Sequence, residues 1–247
     1  MPAAPQTTLI ELVNLVAGSV GHPKTTDVAS TTDEAILRLV FYANLCGGEL
    51  CTMYNWQQLM KTASVSIVAD APSQTEKSFD LPSDYKAMLD DTHWDSANQM
   101  PSLGPINPQD WQTLLVRQAM ITTRFMWRIR DNKLWVKSPP STATPFTFEY
   151  LSKYWARDGT DSTVRDIMMK NSDYHIFPWQ LMMLFTRAKW FENEGYDSTG
   201  AYLDFQKAFA YETGTNQGAT SLSLVPGVGY PYITVARNVP DTGYGSA

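Results

Sequence analysis

The chain is poor in the residues that most often carry chemistry. Of its 247 residues only two are cysteine and three are histidine. His22, His93 and His175 stand far apart in sequence, and Cys46 and Cys51 lie on either side of a glycine pair without further ligands at zinc-site spacing. Two neighbouring buried thiols are the simpler reading, and they suit a reducing cytosol in which the protein is made. Charge is also scarce. Charged residues make up 18% of the chain, below the usual quarter, and the net charge of −6 argues against a protein that grips nucleic acid by neutralising phosphates. Long apolar runs are missing as well. Leu9 to Ala17 contains Glu11 and Asn14 with no basic segment before it, and Ile176 to Phe185 is broken by Pro178 and Gln180. There is no phosphate loop, no dinucleotide-binding glycine fingerprint and no Gly-x-Ser-x-Gly elbow. These absences predict a soluble protein with no cofactor, no metal site and no catalytic residue, and no membrane among its partners.

Aromatic residues, by contrast, reach 12%. So much flat apolar surface must enter a core or a subunit contact. Leu9, Leu12, Val13, Val16, Ala17 and Val20 form one helical stripe, stopped by Gly21, His22 and Pro23. Thr31-Thr32-Asp33-Glu34 reads as a capping box before a helix from Glu34 to Cys46. That helix is apolar almost all round, which predicts a central place in a bundle, and Gly47-Gly48 is expected to end it. A third helix is expected from Met53 to Lys61, burying Trp56, Leu59 and Met60.

Beyond Thr62 the period changes to alternation at Val65, Ile67 and Ala69. A short helical turn is expected to carry Tyr85, Met88 and Leu89, and another short helix to start at Asn107-Pro108. Strands Arg124 to Arg130 and Lys133 to Ser138 join through Asp131-Asn132, and a third strand runs from Phe146 to Tyr154. Helical spacing returns after Pro178, with Leu181, Leu184, Phe185, Ala188 and Phe191, then with Tyr202, Phe205, Ala208 and Phe209. Met182 and Met183, beside Trp179 and Trp190, read as core packing. The predicted class is α+β: a helical bundle (1–61 and 165–212), an inserted small β-rich domain (62–164) and an extended C-terminal arm (213–247). The arm, from Thr213, holds six of the 14 glycines and only two charges, Arg237 and Asp241. Within it Leu222, Leu224 and Val225 form an apolar plug. Tyr230 to Arg237 is a strand-like run able to join a neighbour's sheet edge, and Tyr230, Tyr232, Ile233 and Val235, with the plug, are the candidate portal-docking residues of the arm. Pro231 lacks an amide donor, so pairing should begin at Tyr232.

One polar cluster invites a chemical reading. In Asp90 to Asp95, Asp91 and Asp95 would form an acid/base pair for glycan cleavage with Trp94 as a sugar platform. Alternatively the acids cap a turn while His93 and Trp94 pack at a domain edge. The second reading is preferred, since paired carboxylates become catalytic through environments that split their pKa values, which spacing does not supply. Trp127, Trp135, Tyr150, Tyr154 and Trp155 likewise fit either a carbohydrate site or a core and interface.

Three segments, in order, carry a family resemblance. They are FDLPSDYKAMLDDTHWD (Phe79 to Asp95), LGPINPQDWQTLL (Leu103 to Leu115) and RFMWRIRDNKLWVKSPPSTATPFTFEYLSKYW (Arg124 to Trp155). Each is a weak motif by itself. Their order, behind an amphipathic helix and a capped one, resembles the head-to-tail adaptors (connectors) of tailed bacteriophages over about residues 7–210. The resemblance implies a virion neck protein, made in the host cytoplasm, forming a ring of twelve identical copies. Such a ring sits beneath the portal protein, continues the DNA channel to the next tail component (nozzle or tail tube) and sends its C-terminal segment toward the portal. It implies no enzyme. An acidic balance suits a lumen that DNA passes without specific binding. A tail-associated carbohydrate-binding or glycan-cleaving protein stands as the alternative.

Overall fold

The structure, a computed structural model, describes residues 7–71, 74–116 and 124–216. Up to Asn216 the chain forms one compact unit. The candidate docking residues Leu222, Leu224, Val225, Tyr230, Tyr232, Ile233 and Val235 lie outside the described residues. The class is α+β, with helices at both ends of the described chain and antiparallel sheets between them.

Helix α1 (Leu9–Val20) begins with a capping box that the sequence reading placed elsewhere. The Thr8 side chain accepts from the Glu11 amide, and the Glu11 carboxylate accepts from the Thr8 amide. Gly21 ends it at φ 81°, the left-handed conformation that glycine adopts without strain. Helix α2 (Glu34–Met53) is capped by Asp33, whose carboxylate accepts from the Ala35 amide at 3.0 Å. The expected box from Thr31 to Glu34 is therefore a correction: Thr31 accepts from the Asp33 amide, and Glu34 pairs with Arg38.

Gly47-Gly48 does not end α2, which continues to Met53. No third helix follows. Gln57–Leu59 is a single 3-10 turn, and the chain enters strand β1 (Met60–Ile67) at Met60. After β2 (Glu76–Asp80), the expected helical turn at Tyr85 is strand β3 (Tyr85–Met88). Its pairing partner, not its local propensity, decides this. β4 (Trp94–Asp95), β5 (Met100–Pro101), helix α3 (Pro108–Val116), β6 (Met126–Arg130), β7 (Lys133–Lys137) and β8 (Thr144–Ser152) follow. Helix α3 is capped by Asn107, which accepts from the Asp110 amide at 2.8 Å, with proline at its first position. Asp131 and Asn132 both have φ of 53°, the backbone of a tight two-residue hairpin between β6 and β7. Short strands β9 (Ala156–Arg157), β10 (Val164–Arg165) and β11 (Tyr174–His175) lead to helices α4 (Trp179–Asn193) and α5 (Thr199–Asn216). Helix α5 extends three residues past Thr213, so regular structure reaches beyond the expected start of the arm.

Strand β8 organises the main sheet. β1 pairs with it along one edge through eight consecutive residue pairs, from Met60↔Leu151 to Ile67↔Thr144. β3 and β4 share the other edge, and β5 lies beyond β4. β2, β7 and β6 form a second sheet, and β10, β9 and β11 a third. Two apolar clusters result. One holds the inward faces of α1, α2, α4 and α5 with Trp56, Trp155 and Phe177. The other holds Trp127, Leu134, Val136, Phe146, Phe148 and Tyr150 beneath the sheets. Tyr150 belongs to the second cluster and its neighbour Leu151 to the first, because successive strand residues point to opposite faces. The C-terminal end of β8 is therefore buried on both sides.

Candidate functional site

The Asp90 to Asp95 segment is a turn followed by β4. Asp91 is exposed at φ 59°, a conformation that aspartate tolerates in turns. Asp95 is buried, and its carboxylate folds onto its own loop. It accepts from the Ala97 amide at 3.1 Å, the Asn98 amide at 3.1 Å and the Asn98 side chain at 2.7 Å. These contacts make Asp95 a loop cap. His93 lies beneath, edge-on to the Trp127 ring at 5.0 Å, with its Nδ1 2.8 Å from the Ser102 hydroxyl. A serine touching a histidine has the outline of a nucleophile and its base. Here Trp127 Nε1 donates to Ser102 Oγ at 2.9 Å, and all three side chains are buried. The trio ties β4 and β5 to β6.

The aromatic candidates divide. Trp127, Tyr150 and Trp155 are core residues. Trp135 and Tyr154 are half-buried, with the Arg130 guanidinium 3.8 Å above the Trp135 ring and Lys153 over Tyr154. Such rings are covered by their own neighbours. Met182 is buried in the helical cluster, with Met183 packed against it. Cys46 and Cys51 are buried and free, and burial pushes both thiols up, that of Cys51 to about 12. Among the described residues no group of three or more His, Cys, Asp or Glu side chains is arranged to hold a metal, and no helix is long and apolar enough to cross a membrane.

His22 packs edge-on against Trp190 at 5.2 Å. His175 is more deeply placed. Its Nδ1 lies 2.9 Å from the Phe177 carbonyl, its Nε2 is buried without a partner, and burial lowers its pKa from 6.5 to about 4. The folded state thus binds this proton more weakly than the unfolded state does. Stability from neutral His175 is fully present above pH 6.5 and is lost as pH falls from about 6.5 toward 4, to the extent of about 3 kcal/mol. Urea unfolding of wild type and of His175→Gln across that range checks this, since the variant should lack that part of the slope.

Two polar centres were missed by sequence reasoning. Asp84, from the Leu-Pro-x-Asp-aromatic step, is buried under β8. It accepts from Tyr150 at 2.8 Å, Ser152 at 2.8 Å and the Lys61 ammonium at 2.6 Å. Asp158 is buried between Lys170 and Arg165, each 2.6 Å away, and accepts from the Thr160 amide at 2.8 Å. Lys170 and that amide hold its carboxyl well below the usual range. Aspartates at loop positions rank as turn formers in a sequence, so neither announced itself.

One surface stands out for what it leaves open. Helix α2 buries Ile36, Leu39, Ala43, Cys46, Gly47 and Leu50, yet Leu37, Phe41 and Leu45 are 48%, 63% and 39% exposed. At i, i+4 and i+8 they form one stripe, continued by Gly48, which has no atom near its Cβ direction. The expectation that α2 is enclosed in a bundle is therefore corrected: among the described residues, helices pack on one side of it only. The Arg38 charge beside the stripe is satisfied within the chain, by Glu34 at 2.6 Å and Glu194 at 3.0 Å. No protein-family model matches the chain, and no curated protein matches its sequence.

Proposed function

We propose that this chain is a structural virion subunit, a head-to-tail adaptor whose copies close into a ring between the portal protein and the tail. In this reading the helices form a bundle, the strands between them an inserted β-rich domain, and the residues after Asn216 an extended arm. The observation that carries it is the open stripe of α2. A helix with apolar residues on opposite faces requires cover on both, and an exposed apolar stripe of this kind marks a protein contact. A contact between two different faces of identical subunits, repeated by rotation, closes into a ring. The three motif segments favour the adaptor among ring-forming proteins. The chain's acidic balance suits a channel that duplex DNA crosses without sticking. The carbohydrate reading has less behind it: Trp94 is 42% exposed, but Asp95 caps its own loop, Trp127, Tyr150 and Trp155 are core, and Arg130 covers Trp135.

Electron microscopy of the full chain bound to its virus's portal protein tests the proposal. Cyclic symmetry, with twelve copies, is the expected result, and bound protein without cyclic symmetry overturns it. Leu37→Ser with Phe41→Ser should abolish the ring while moving the melting temperature of the isolated subunit little, since exposed substitutions rarely exceed about 0.5 kcal/mol.

A further inference from the structure

The sheet edges of this protein are treated unequally. An edge strand presents unpaired amides and carbonyls, and natural proteins blunt such edges by shortness, charge, proline or cover. β5, β10 and β11 are two residues long, and β5 contains Pro101. β2 carries Glu76, Lys77 and Asp80. The outer edge of β6 is covered by the segment after β5: Leu103 donates to the Phe125 carbonyl at 2.7 Å, and the Trp127 amide donates to Leu103 at 3.0 Å. β1 has none of these protections. It is eight residues long, pairs with β8 without a bulge, and contains no proline. Its single charge, Lys61, is drawn to Asp84 at 2.6 Å and does not guard the edge. Among the described residues no backbone hydrogen bond reaches its outer side.

The side chains of β1 show which strand would fit there. Met60, Thr62, Ser64 and Ser66 are exposed on one face. On the other, Ala63 and Val65 pack against the second core but are only half-buried, although their β8 partners Phe148 and Phe146 are buried. The core is thus only partly covered at Ala63 and Val65, while Ile67, on the same face at the end of the strand, is fully buried. The matching strand is short, uncharged and alternating, with two branched apolar residues for the core side. Tyr232-Ile233-Thr234-Val235-Ala236 has that pattern, with Ile233 and Val235 on one face and Tyr232, Thr234 and Ala236 on the other. From Gln217 through Pro231 the chain can extend about 50 Å, and a compact unit of about 210 residues has a radius of gyration of about 17 Å. The segment is long enough to pass from one copy to the next.

We infer that β1 is an acceptor edge, and that residues Tyr232 to Ala236 of a neighbouring copy add to it as a further strand, Ile233 and Val235 covering Ala63 and Val65. This rests on the ring reading above. In a ring every copy offers one arm and one edge, so the exchange closes with the ring and leaves no edge open. Main-chain hydrogen bonds supply the affinity and the alternating side chains the register.

Cysteine crosslinking between full-length variants in the portal-bound assembly tests it. Thr62→Cys, Ser64→Cys and Ser66→Cys are each mixed with Thr234→Cys and oxidised. The native thiols are buried and do not compete. At least one mixture should give a dimer on a non-reducing gel that disappears on reduction. No dimer in any mixture, from a ring whose cyclic symmetry microscopy confirms, overturns the exchange and leaves the ring standing. Crosslinks formed only within one chain, in the Ser64→Cys/Thr234→Cys double variant, also overturn it, in favour of an arm folded on its own subunit. If neither a cyclic assembly nor a dimer forms, the exchange and the ring reading fall together.

Discussion

Gly47→Ala should destabilise the subunit by about 3 kcal/mol, whereas Gly48→Ala, one residue away, should stabilise it by about 0.5–1 kcal/mol. Both residues lie inside α2, where alanine is normally the better helix former. The difference is tertiary. A Cβ on Gly47 would stand 2.3 Å from the Trp155 ring, and a Cβ on Gly48 would meet no atom within 4 Å. The indole has no room to retreat. Trp155 is fully buried and stacked on Phe177 at 6.1 Å, which in turn meets Trp56 at 5.5 Å. Added volume in such a packed core is absorbed by strain. Urea unfolding of both variants measures the effect, and a Gly47→Ala protein as stable as wild type would show that the Trp155 contact is dispensable.

The second large effect is at Asp84. Asp84→Ala should cost about 3 kcal/mol at neutral pH, the lower end of the range for removing one partner of a buried ion pair, because Lys61 is partly solvated. The loss has three parts: the Lys61 ammonium loses its partner, and the hydroxyls of Tyr150 and Ser152 lose their acceptor in a buried place. Burial pushes the Asp84 carboxyl up, but Lys61, Tyr150 and Ser152 together outweigh it and hold the pKa below the ordinary value of 3.8. A carboxyl with a depressed folded pKa contributes stability above its unfolded value, lost as pH falls through the folded one. The gap between wild type and Asp84→Ala should therefore persist from neutral pH down to about pH 4 and narrow only below it. Asp84→Asn should fall between the two, since its carbonyl still accepts from a hydroxyl while the charge is gone. Equilibrium unfolding of the three proteins at pH 7 and pH 3 reads both statements.

Residues 60 to 67 also bear on how such a protein avoids misassembly. An open edge of eight residues, whose single charge Lys61 is drawn to Asp84, is an aggregation template when it has no designated partner. In the exchange proposed above, a partner strand carried by every copy would remove that hazard at the moment of assembly.

The sequence by itself determined the elements whose signal is local. The stripe from Leu9 to Val20 with its Gly21 stop, the Asn107-Pro108 start of α3, the Asp131-Asn132 hairpin and the two late helices all follow from periodicity, caps and turn chemistry within a few residues. The α+β class follows from their order. Tertiary structure alone decided the rest, because there the deciding atoms are distant in sequence. Gly47-Gly48 reads as a helix stop, yet Gly47 is the gap into which Trp155 fits, 108 positions later. Tyr85 to Met88 reads as a helical turn, but β8 supplies the hydrogen-bonding edge that makes it a strand. Asp84 carries no signal of its own in the sequence, and only the fold closes Lys61, Tyr150 and Ser152 around it. The apolar face of α2 reads as buried, and only the packing of the other helices on one side of it leaves Leu37, Phe41 and Leu45 open. Periodicity tells which residues must leave water, but not whether the cover comes from the same chain or from another.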